Sequence, residues 1–475
     1  MAQADNPIQG GVVGSAAERI DSGERLLDQG DAARALAAFE QALAFGTDFT
    51  ALVGRGVALQ MLGRDGEALA DFEAALRLKP DDIAAIANRG NALQDLGRHA
   101  EALESFDRAL ALRPGFARVL YSRSNVLQEM NRFNEALAGY GQVLAQDPAD
   151  VAALNNRGNT FIKMRRHSDA LADFDAALAL QPDFSYALYN RGRALCESGN
   201  IAQGLADFQR AAVIFGKHGT AGAAAPHKAR HDAEQQAWLA AAGISTPVTG
   251  PLHVEAGARL AGPAINRANG AEAGRAWRQS DPQLVVIDNL LTPEALAALR
   301  RFCWESTIWR KSYSRGYLGA FPESGFACPL LAQIAEEFRT VFPDIFGAHP
   351  LVYLWAFKYD NRLRGIEVHA DQAAVNVNFW IAPDEANLDL DHGGLVVWDK
   401  AAPLDWDFAK FNADIPAARD FLERSGARPV TIPHRANRAV IFDSDLFHET
   451  DAIAFREGYE NRRINCTLLY GFRDA

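Results

Sequence analysis

Small, aromatic and polar positions recur at a constant spacing along residues 16–219. Each unit contains two segments with an apolar face, and such faces are too large for one unit to bury alone. The pattern therefore predicts helix pairs that stack on one another. The repeating positions are Arg55, Arg89, Arg123, Arg157 and Arg191; Ala68, Ala102, Ala136 and Ala170; Phe72, Phe106, Tyr140, Phe174 and Phe208; and Pro80, Pro114, Pro148 and Pro182.

The period of roughly 34 residues, together with the small residues, the aromatic ring and the terminal proline, resembles the tetratricopeptide repeat. The resemblance covers six units, and the first, at 16–48, is one residue short and lacks the proline. It implies an all-α solenoid with a concave groove lined by the first helix of each pair.

Asparagines recur at two positions of the first helix, as in the asparagine ladder of protein O-GlcNAc transferases. That resemblance implies a groove that binds a protein or peptide through its backbone. Two alternatives remain: the amides bridge helices within the stack, or the array mediates self-association. The groove candidates are Asn88, Asn156 and Asn190 at one position and Asn91, Asn125 and Asn159 at the other.

Short runs rich in β-branched and aromatic residues dominate the last part of the chain. Gly, Asn, Asp and Pro separate them, which is typical of a β-sandwich or barrel. Thr292 followed by Pro293 indicates the start of a helix after the first run. The predicted strands are 284–288, 351–359, 375–381, 393–398, 429–432, 438–442 and 464–470.

The chain is therefore expected to be multidomain. Residues 1–15 are predicted to be a disordered N-terminus, and 16–219 the repeats. Residues 220–282 are predicted to be a linker with a helix at 229–242 that closes the end of the solenoid. Residues 283–475 form the last domain, in which helices at 400–428 interrupt the strands.

His369 and Asp371 are the strongest candidates for chemistry, because residues two apart on an extended strand project from the same face. His448 is the natural third ligand. Two histidines and one carboxylate on one side of a metal form the ligand set of non-haem Fe(II) oxygenases. A second His-x-Asp, at His167 and Asp169, lies inside a repeat, and we assign it no function.

Residues 284–475 resemble the double-stranded β-helix (jelly-roll) domain of 2-oxoglutarate- and Fe(II)-dependent dioxygenases, particularly the prolyl-hydroxylase-like branch. The shared pattern is His-x-Asp, a distal histidine and a basic residue that opens the last core strand. The resemblance implies an α+β domain in which His369, Asp371 and His448 hold Fe(II). It also implies dioxygen as co-substrate and ascorbate as an optional reductant.

Arg463 is the basic residue that the resemblance implies for the distal carboxylate of 2-oxoglutarate, and Tyr359 would hydrogen-bond the same molecule. Arginine suits this role because its planar fork meets a carboxylate bidentately. The gap from His448 to Arg463 is longer than is usual in that branch, so Arg456 is an alternative. Arg462 is expected to point to the opposite face.

The net charge of -12 counts against nucleic acid as a partner. No apolar run reaches membrane-spanning length, and no secretory signal is visible, so we expect a cytoplasmic protein. The resulting hypothesis is a dioxygenase that hydroxylates a protein or peptide recruited by the repeats. The alternatives are an oxygenase for a small or carrier-bound metabolite and a non-catalytic scaffold. The oligomeric state is not predicted.

Overall fold

A computed structural model describes residues 15–218, 225–361 and 365–473. The predicted disordered N-terminus, apart from Ser15, lies outside the described residues, and so does the start of the predicted linker. The chain divides into two compact units, Met1–Arg165 and Arg166–Ala475, each of which is described by itself.

Twelve consecutive helices occupy the predicted repeats, so the all-helical N-terminal array is confirmed. They follow one another in the predicted order. Their bounds are Ala16–Asp28 (α1), Ala32–Leu43 (α2), Phe49–Met61 (α3), Asp65–Leu78 (α4), Ile83–Asp95 (α5), His99–Leu112 (α6), Ala117–Glu129 (α7), Phe133–Gln146 (α8), Val151–Lys163 (α9), His167–Leu180 (α10), Ser185–Glu197 (α11) and Ile201–Phe215 (α12).

In the pairs α3/α4 and α5/α6, a glycine of the first helix allows close packing around the repeating aromatic ring. A Cβ atom on Gly56 would lie 2.6 Å from the ring of Phe72, and one on Gly90 would lie 2.6 Å from the ring of Phe106. Both rings are fully buried. These small residues are therefore required by packing rather than by backbone conformation.

Replacing Gly90 with alanine is expected to lower the free energy of unfolding by about 1–3 kcal/mol, because the added methyl group overpacks a closed contact. Gly66 is the matched control, since it lies in α4 and has no atom within 4 Å of the position that an added methyl group would occupy. Gly66→Ala should raise stability by about 0.5–1 kcal/mol through lower backbone entropy in the unfolded chain. Urea denaturation followed by circular dichroism measures both, and equal stability of the two variants would contradict the packing explanation.

The repeating arginine pairs with acidic side chains of the second helices. Arg55 contacts Asp71 at 2.6 Å, and Arg123 contacts Asp107 at 2.6 Å. Partly exposed pairs of this kind contribute less than about 1 kcal/mol each. We interpret them as side-chain contacts that favour one register of the helix pair over others.

The described part of the chain after α12 contains seven helices and ten strands, so the predicted β-rich region is confirmed. The helices are Pro226–Ala241 (α13), Gly270–Gln279 (α14), Pro293–Glu305 (α15), Pro329–Val341 (α16), Pro343–Phe346 (α17), Phe408–Asn412 (α18) and Ile415–Arg424 (α19). The strands are Leu284–Ile287 (β1), Lys311–Tyr313 (β2), Tyr317–Ala320 (β3), Leu351–Tyr359 (β4), Val375–Trp380 (β5), Leu395–Ala401 (β6), Pro429–Ile432 (β7), Ala439–Asp443 (β8), Leu446–Thr450 (β9) and Ile464–Tyr470 (β10).

The strands form two antiparallel sheets. The larger has the order β1-β8-β5-β10-β4-β3-β2, and the smaller has the order β7-β6-β9. Trp380 and Phe442 of the larger sheet pack against Leu395 and Val397 of the smaller one. Val377 projects from the other face of β5 and belongs to the core shared with α15 and α16. The jelly-roll topology named by the resemblance stays a prediction.

The last repeat packs directly on the β-rich region. Ile201, Leu205 and Phe208 of α12 belong to the same buried core as Leu330 and Ile334 of α16. Helix α11 contacts β4, so a sheet covers the apolar end that a further repeat would otherwise cover.

The predicted role of the helix at 229–242 is therefore wrong. The helix exists as α13, but it packs on the β-rich region, where the Gln235 side chain donates to the carbonyl of Ser306 at 2.9 Å. Its buried face is polar, including His231 and Asp232, and cannot replace the apolar face of a repeat.

The prediction of a linker at 220–282 is also incorrect for its second part. Ala273 and Trp277 of α14 are buried in the core of the second unit. The backbone N–H groups of Ala264 and Ile265 donate to the carboxylate of Glu337 at 2.9 and 2.8 Å. This segment is part of the domain because its backbone groups and apolar side chains are paired with it.

Candidate metal centre

His369 and His448 face each other across an isolated antiparallel bridge. The N–H of His369 donates to the carbonyl of His448 at 3.0 Å, and the reverse bond measures 2.8 Å. This pairing brings residues from two distant parts of the chain together, with their ring centroids 4.3 Å apart. The ligand atoms of His369, Asp371 and His448 all lie within 4.8 Å of one another, so the three side chains could hold one metal ion.

Backbone carbonyls select the ring nitrogen that each histidine presents. Nδ1 of His369 lies 2.7 Å from the carbonyl of Glu367, and Nδ1 of His448 lies 3.1 Å from the carbonyl of Leu446. A carbonyl accepts only, so Nδ1 carries the proton in both rings. Nε2 then keeps its lone pair and points into the cluster, as a metal ligand requires.

Burial sets the charge state of the cluster. Burial, and then the neighbouring His448, lower the pKa of His369 to about 4, so this ring is neutral near pH 7. Burial alone would raise the pKa of Asp371, but the His448 ring, with Nε2 3.5 Å from the carboxylate, and the nearby His369 and Asn376 bring this pKa below its ordinary value. A neutral imidazole beside a charged carboxylate is the combination that a divalent cation needs.

The backbone of this segment differs from the prediction. His369 and Asp371 do not lie on a regular strand but in the connection between β4 and β5. The N–H of Asp371 donates to the carbonyl of Ser444 at 3.2 Å, and Ala370 pairs with α18 instead of a strand. The side chain of Asn412 also donates to the carbonyl of Ala370, at 2.9 Å. The helices predicted at 400–428 therefore support the ligand-bearing segment.

Arg463 lies fully buried at the wall of the cavity that the three ligands line. Its Nε and Nη2 donate to the carbonyls of Gly393 and Gly394 at 2.7 and 2.8 Å. Its Nη1 has no hydrogen-bond partner, and no carboxylate of the described residues pairs with it. Burial lowers the pKa of Arg463. A buried cation of this kind is costly without an anion.

The two glycines are functional residues that sequence reasoning missed. Gly393 has a φ of +87°, and a Cβ on Gly394 would lie 1.9 Å from the carbonyl oxygen of Ile432. Only glycines can bring these carbonyls to Arg463. The adjacent pair of glycines before a strand was the available signal.

Of the other residues considered for co-substrate binding, one lies on the cavity wall and two do not. Tyr359 lies on the cavity wall, with its hydroxyl 3.2 Å from that of Thr450, and the guanidinium of Arg463 stacks 4.4 Å from its ring centroid. Arg462 points elsewhere and pairs with Glu234 at 2.8 Å. Arg456 is exposed and does not line the cavity.

A wider cleft of about 590 Å³ opens outside the ligands. Aromatic side chains of β2, β3 and β4 line one wall, including Tyr313, Tyr317, Trp355 and Phe357. Phe408 of α18 also lines the cleft and is 51% exposed, so it is available for contact.

The cleft also adjoins the last repeat. Tyr353 of β4 lines the cleft and donates to Glu323 at 3.1 Å, and β4 contacts α11. A single β4 strand therefore carries side chains that contact the repeat at one end and line the ligand cavity at the other.

The groove asparagines all lie on first helices, as predicted. Asn156 donates to Asn125 at 3.0 Å and to the hydroxyl of Tyr121 at 2.8 Å, and Tyr140 donates to the same Asn125 oxygen at 2.6 Å. These two asparagines bridge neighbouring repeats within the stack, which is one of the alternatives above. Peptide binding stays a prediction. The positions are Asn88 and Asn91 on α5, Asn125 on α7, Asn156 and Asn159 on α9, and Asn190 on α11.

The chain therefore combines an N-terminal array of tetratricopeptide repeats with a β-rich C-terminal region and a candidate His-Asp-His metal centre. The sequence profile of the tetratricopeptide repeat family matches residues 20–83, 83–116 and 151–184, which confirms the repeats. No curated protein matches the chain. Among the described residues, no helix combines the length and apolar character needed to cross a membrane.

Solved structures similar to this chain are also repeat proteins. YrrB, described as a TPR protein with an unusual peptide-binding site, is 28% identical over 37% of this chain and 90% of its own, with a TM-score of 0.32. A thermophilic TPR protein of Thermus thermophilus is 22% identical over 38% of this chain and 99% of its own, with a TM-score of 0.34.

Proposed function

We propose that this chain is a 2-oxoglutarate- and Fe(II)-dependent dioxygenase that hydroxylates a polypeptide substrate. One observation carries the proposal: three convergent metal ligands and a buried arginine with an unpartnered Nη1 line the same cavity. A structural metal site would need the first feature but not the second. The jelly-roll fold implied by the resemblance belongs to this proposal.

The residues that line the cavity fit both Fe(II) and 2-oxoglutarate. Two imidazoles and one carboxylate match the ligand preference of Fe(II) in this class and leave open positions. A dicarboxylate matches Arg463, because its buried guanidinium has one edge held by backbone carbonyls and Nη1 still available. The hydroxyls of Tyr359 and Thr450 lie on the same wall and offer further hydrogen bonds.

The residues of the site have separate roles. When bound, Fe(II), 2-oxoglutarate and dioxygen together supply the oxidising chemistry that hydroxylates a C–H bond. His369, Asp371 and His448 hold the metal, and Asp371 offsets part of its charge. Arg463 orients the co-substrate, and the surrounding aromatic wall limits access of water.

The position of the cleft supports a polypeptide substrate. Its volume of about 590 Å³ lies within the roughly 300–1,000 Å³ of typical small-molecule sites, so its size does not distinguish the two substrate classes. Strand β4 lines the cleft and contacts α11 of the last repeat, so a segment bound along α11 could continue into the cleft. Binding in the repeat groove is part of the same proposal.

The direct test incubates the purified protein with Fe(II), ascorbate, dioxygen and 2-oxoglutarate and measures succinate. We expect slow succinate formation without substrate and a 2-oxoglutarate-dependent gain of one oxygen atom, seen by mass spectrometry, on a polypeptide of the host extract. Succinate formation with a small metabolite as the modified product would favour the metabolite oxygenase. If a folded protein forms no succinate and binds no metal, the chain is a repeat scaffold.

A further inference from the structure

A chain of buried side-chain hydrogen bonds runs beneath the candidate metal centre and ends on Asp371. The amide of Asn376 donates to Asp371 Oδ2 at 2.7 Å, and the amide of Asn378 donates to Asn376 Oδ1 at 2.6 Å. Asn378 Oδ1 accepts in turn from Asn465 at 2.6 Å and from the Thr467 hydroxyl at 2.9 Å. No member of this relay is more than 7% exposed.

The strand register explains why these side chains meet. Asn376 and Asn378 share one face of β5, and Asn465 and Thr467 share the adjoining face of β10. Thr467 is the direct cross-strand partner of Asn378. Four polar residues thus replace the apolar side chains that a buried sheet face ordinarily carries.

The direction of the relay follows from its end point. A carboxylate accepts only, so Asn376 must turn its NH₂ group towards Asp371. Its oxygen then faces Asn378, which must also present NH₂, and the oxygen of Asn378 faces the two donors of β10. Rotating any one amide would place two acceptors or two donors against each other. The relay therefore has a single arrangement in which each of these contacts joins a donor to an acceptor.

The relay restricts the orientation of the Asp371 carboxylate. With Oδ2 tied to Asn376, the Asp371 side chain resists rotation, and Oδ1 stays 3.9 Å from Nε2 of His369. Hydrogen-bond partners of metal ligands typically change metal affinity by about 10- to 100-fold.

We propose that Asn376 is a positioning residue for the metal ligand Asp371, held in place by the relay from β10. The proposal rests on the metal centre of the proposed function. It differs from a purely structural role of a buried polar network, which would affect folding without changing the metal environment.

Co(II) titration of the purified full-length protein, followed by visible d–d absorption, provides the test. Asn376→Ala and the near-isosteric Asn376→Leu are expected to raise the Co(II) Kd about 10- to 100-fold and to alter the spectrum. Asn378→Ala, one link further away, should have a smaller effect in the same direction. Asn376→Leu decides the question if Asn376→Ala does not fold.

Gln333→Ala is the matched control, because it also removes a buried amide, one that bonds the carbonyl of Gly262 at 2.8 Å, away from the ligands. It should leave the Kd and the spectrum unchanged. Wild-type affinity and spectrum in both Asn376 variants would overturn the inference, as would an equal loss in Gln333→Ala. If the wild-type protein binds no Co(II), the metal centre itself fails, a result distinct from the other two.

Discussion

Replacing His448 with alanine is expected to abolish metal binding at the candidate centre, with a loss of affinity of at least about 100-fold. Loss of a direct ligand should exceed the roughly 10- to 100-fold cost of losing a partner of a ligand. The loss of affinity is measured by an anaerobic titration with Fe(II) and 2-oxoglutarate, followed through the weak visible charge-transfer band. Succinate formation should fall in parallel.

His167 supplies the control for this prediction. It begins the second His-x-Asp of the chain, but it lies at the start of α10, where its ring is 3.7 Å from Glu197. His167→Ala should bind Fe(II) as the wild type does. A full band in His448→Ala, or a lost band in His167→Ala, would contradict the assignment of the ligands.

Replacing Arg463 with methionine is expected to separate co-substrate binding from metal binding. The variant should retain Fe(II) but lose 2-oxoglutarate affinity by about 100-fold or more, because breaking a buried charge pair costs about 3–5 kcal/mol. Arg463→Lys should recover only part of the affinity, since lysine cannot reproduce the fork that donates to Gly393 and Gly394. Thermal unfolding of each variant establishes that the protein remains folded.

Arg456→Ala is the comparison for Arg463, because Arg456 is the alternative basic residue and is exposed. We expect unchanged 2-oxoglutarate affinity in this variant. Loss of affinity in Arg456→Ala together with normal affinity in Arg463→Met would move the co-substrate anchor to Arg456.

Local patterns were sufficient for the helices of the repeats and for most strands of the β-rich region. The repeat period appears directly as helix pairs, because each helix buries a face defined by its own sequence. The strands at 351–359, 429–432 and 464–470 were predicted with the observed bounds. Helix α14 was missed because Gly270 and Gly274 weaken its helical signal.

The connection from β9 to β10 shows where local patterns are insufficient. The long gap from His448 to Arg463, with residues 456–461 in it, suggests an enlarged hairpin that joins two neighbouring strands. In the structure, β9 belongs to the smaller sheet and β10 to the larger one. Sheet membership depends on partners far away in the chain, and no local periodicity encodes it.

The sequence by itself determined the residue types of the site and the strand that carries Arg463. Only the tertiary structure decided how they act together, because the bridge between His369 and His448 and the relay to Asp371 join residues that are distant in sequence. The same holds for the last repeat, whose apolar end is covered by β4 and α16 rather than by α13. Burial against a remote element is a property of the folded chain, so a single sequence segment cannot reveal it.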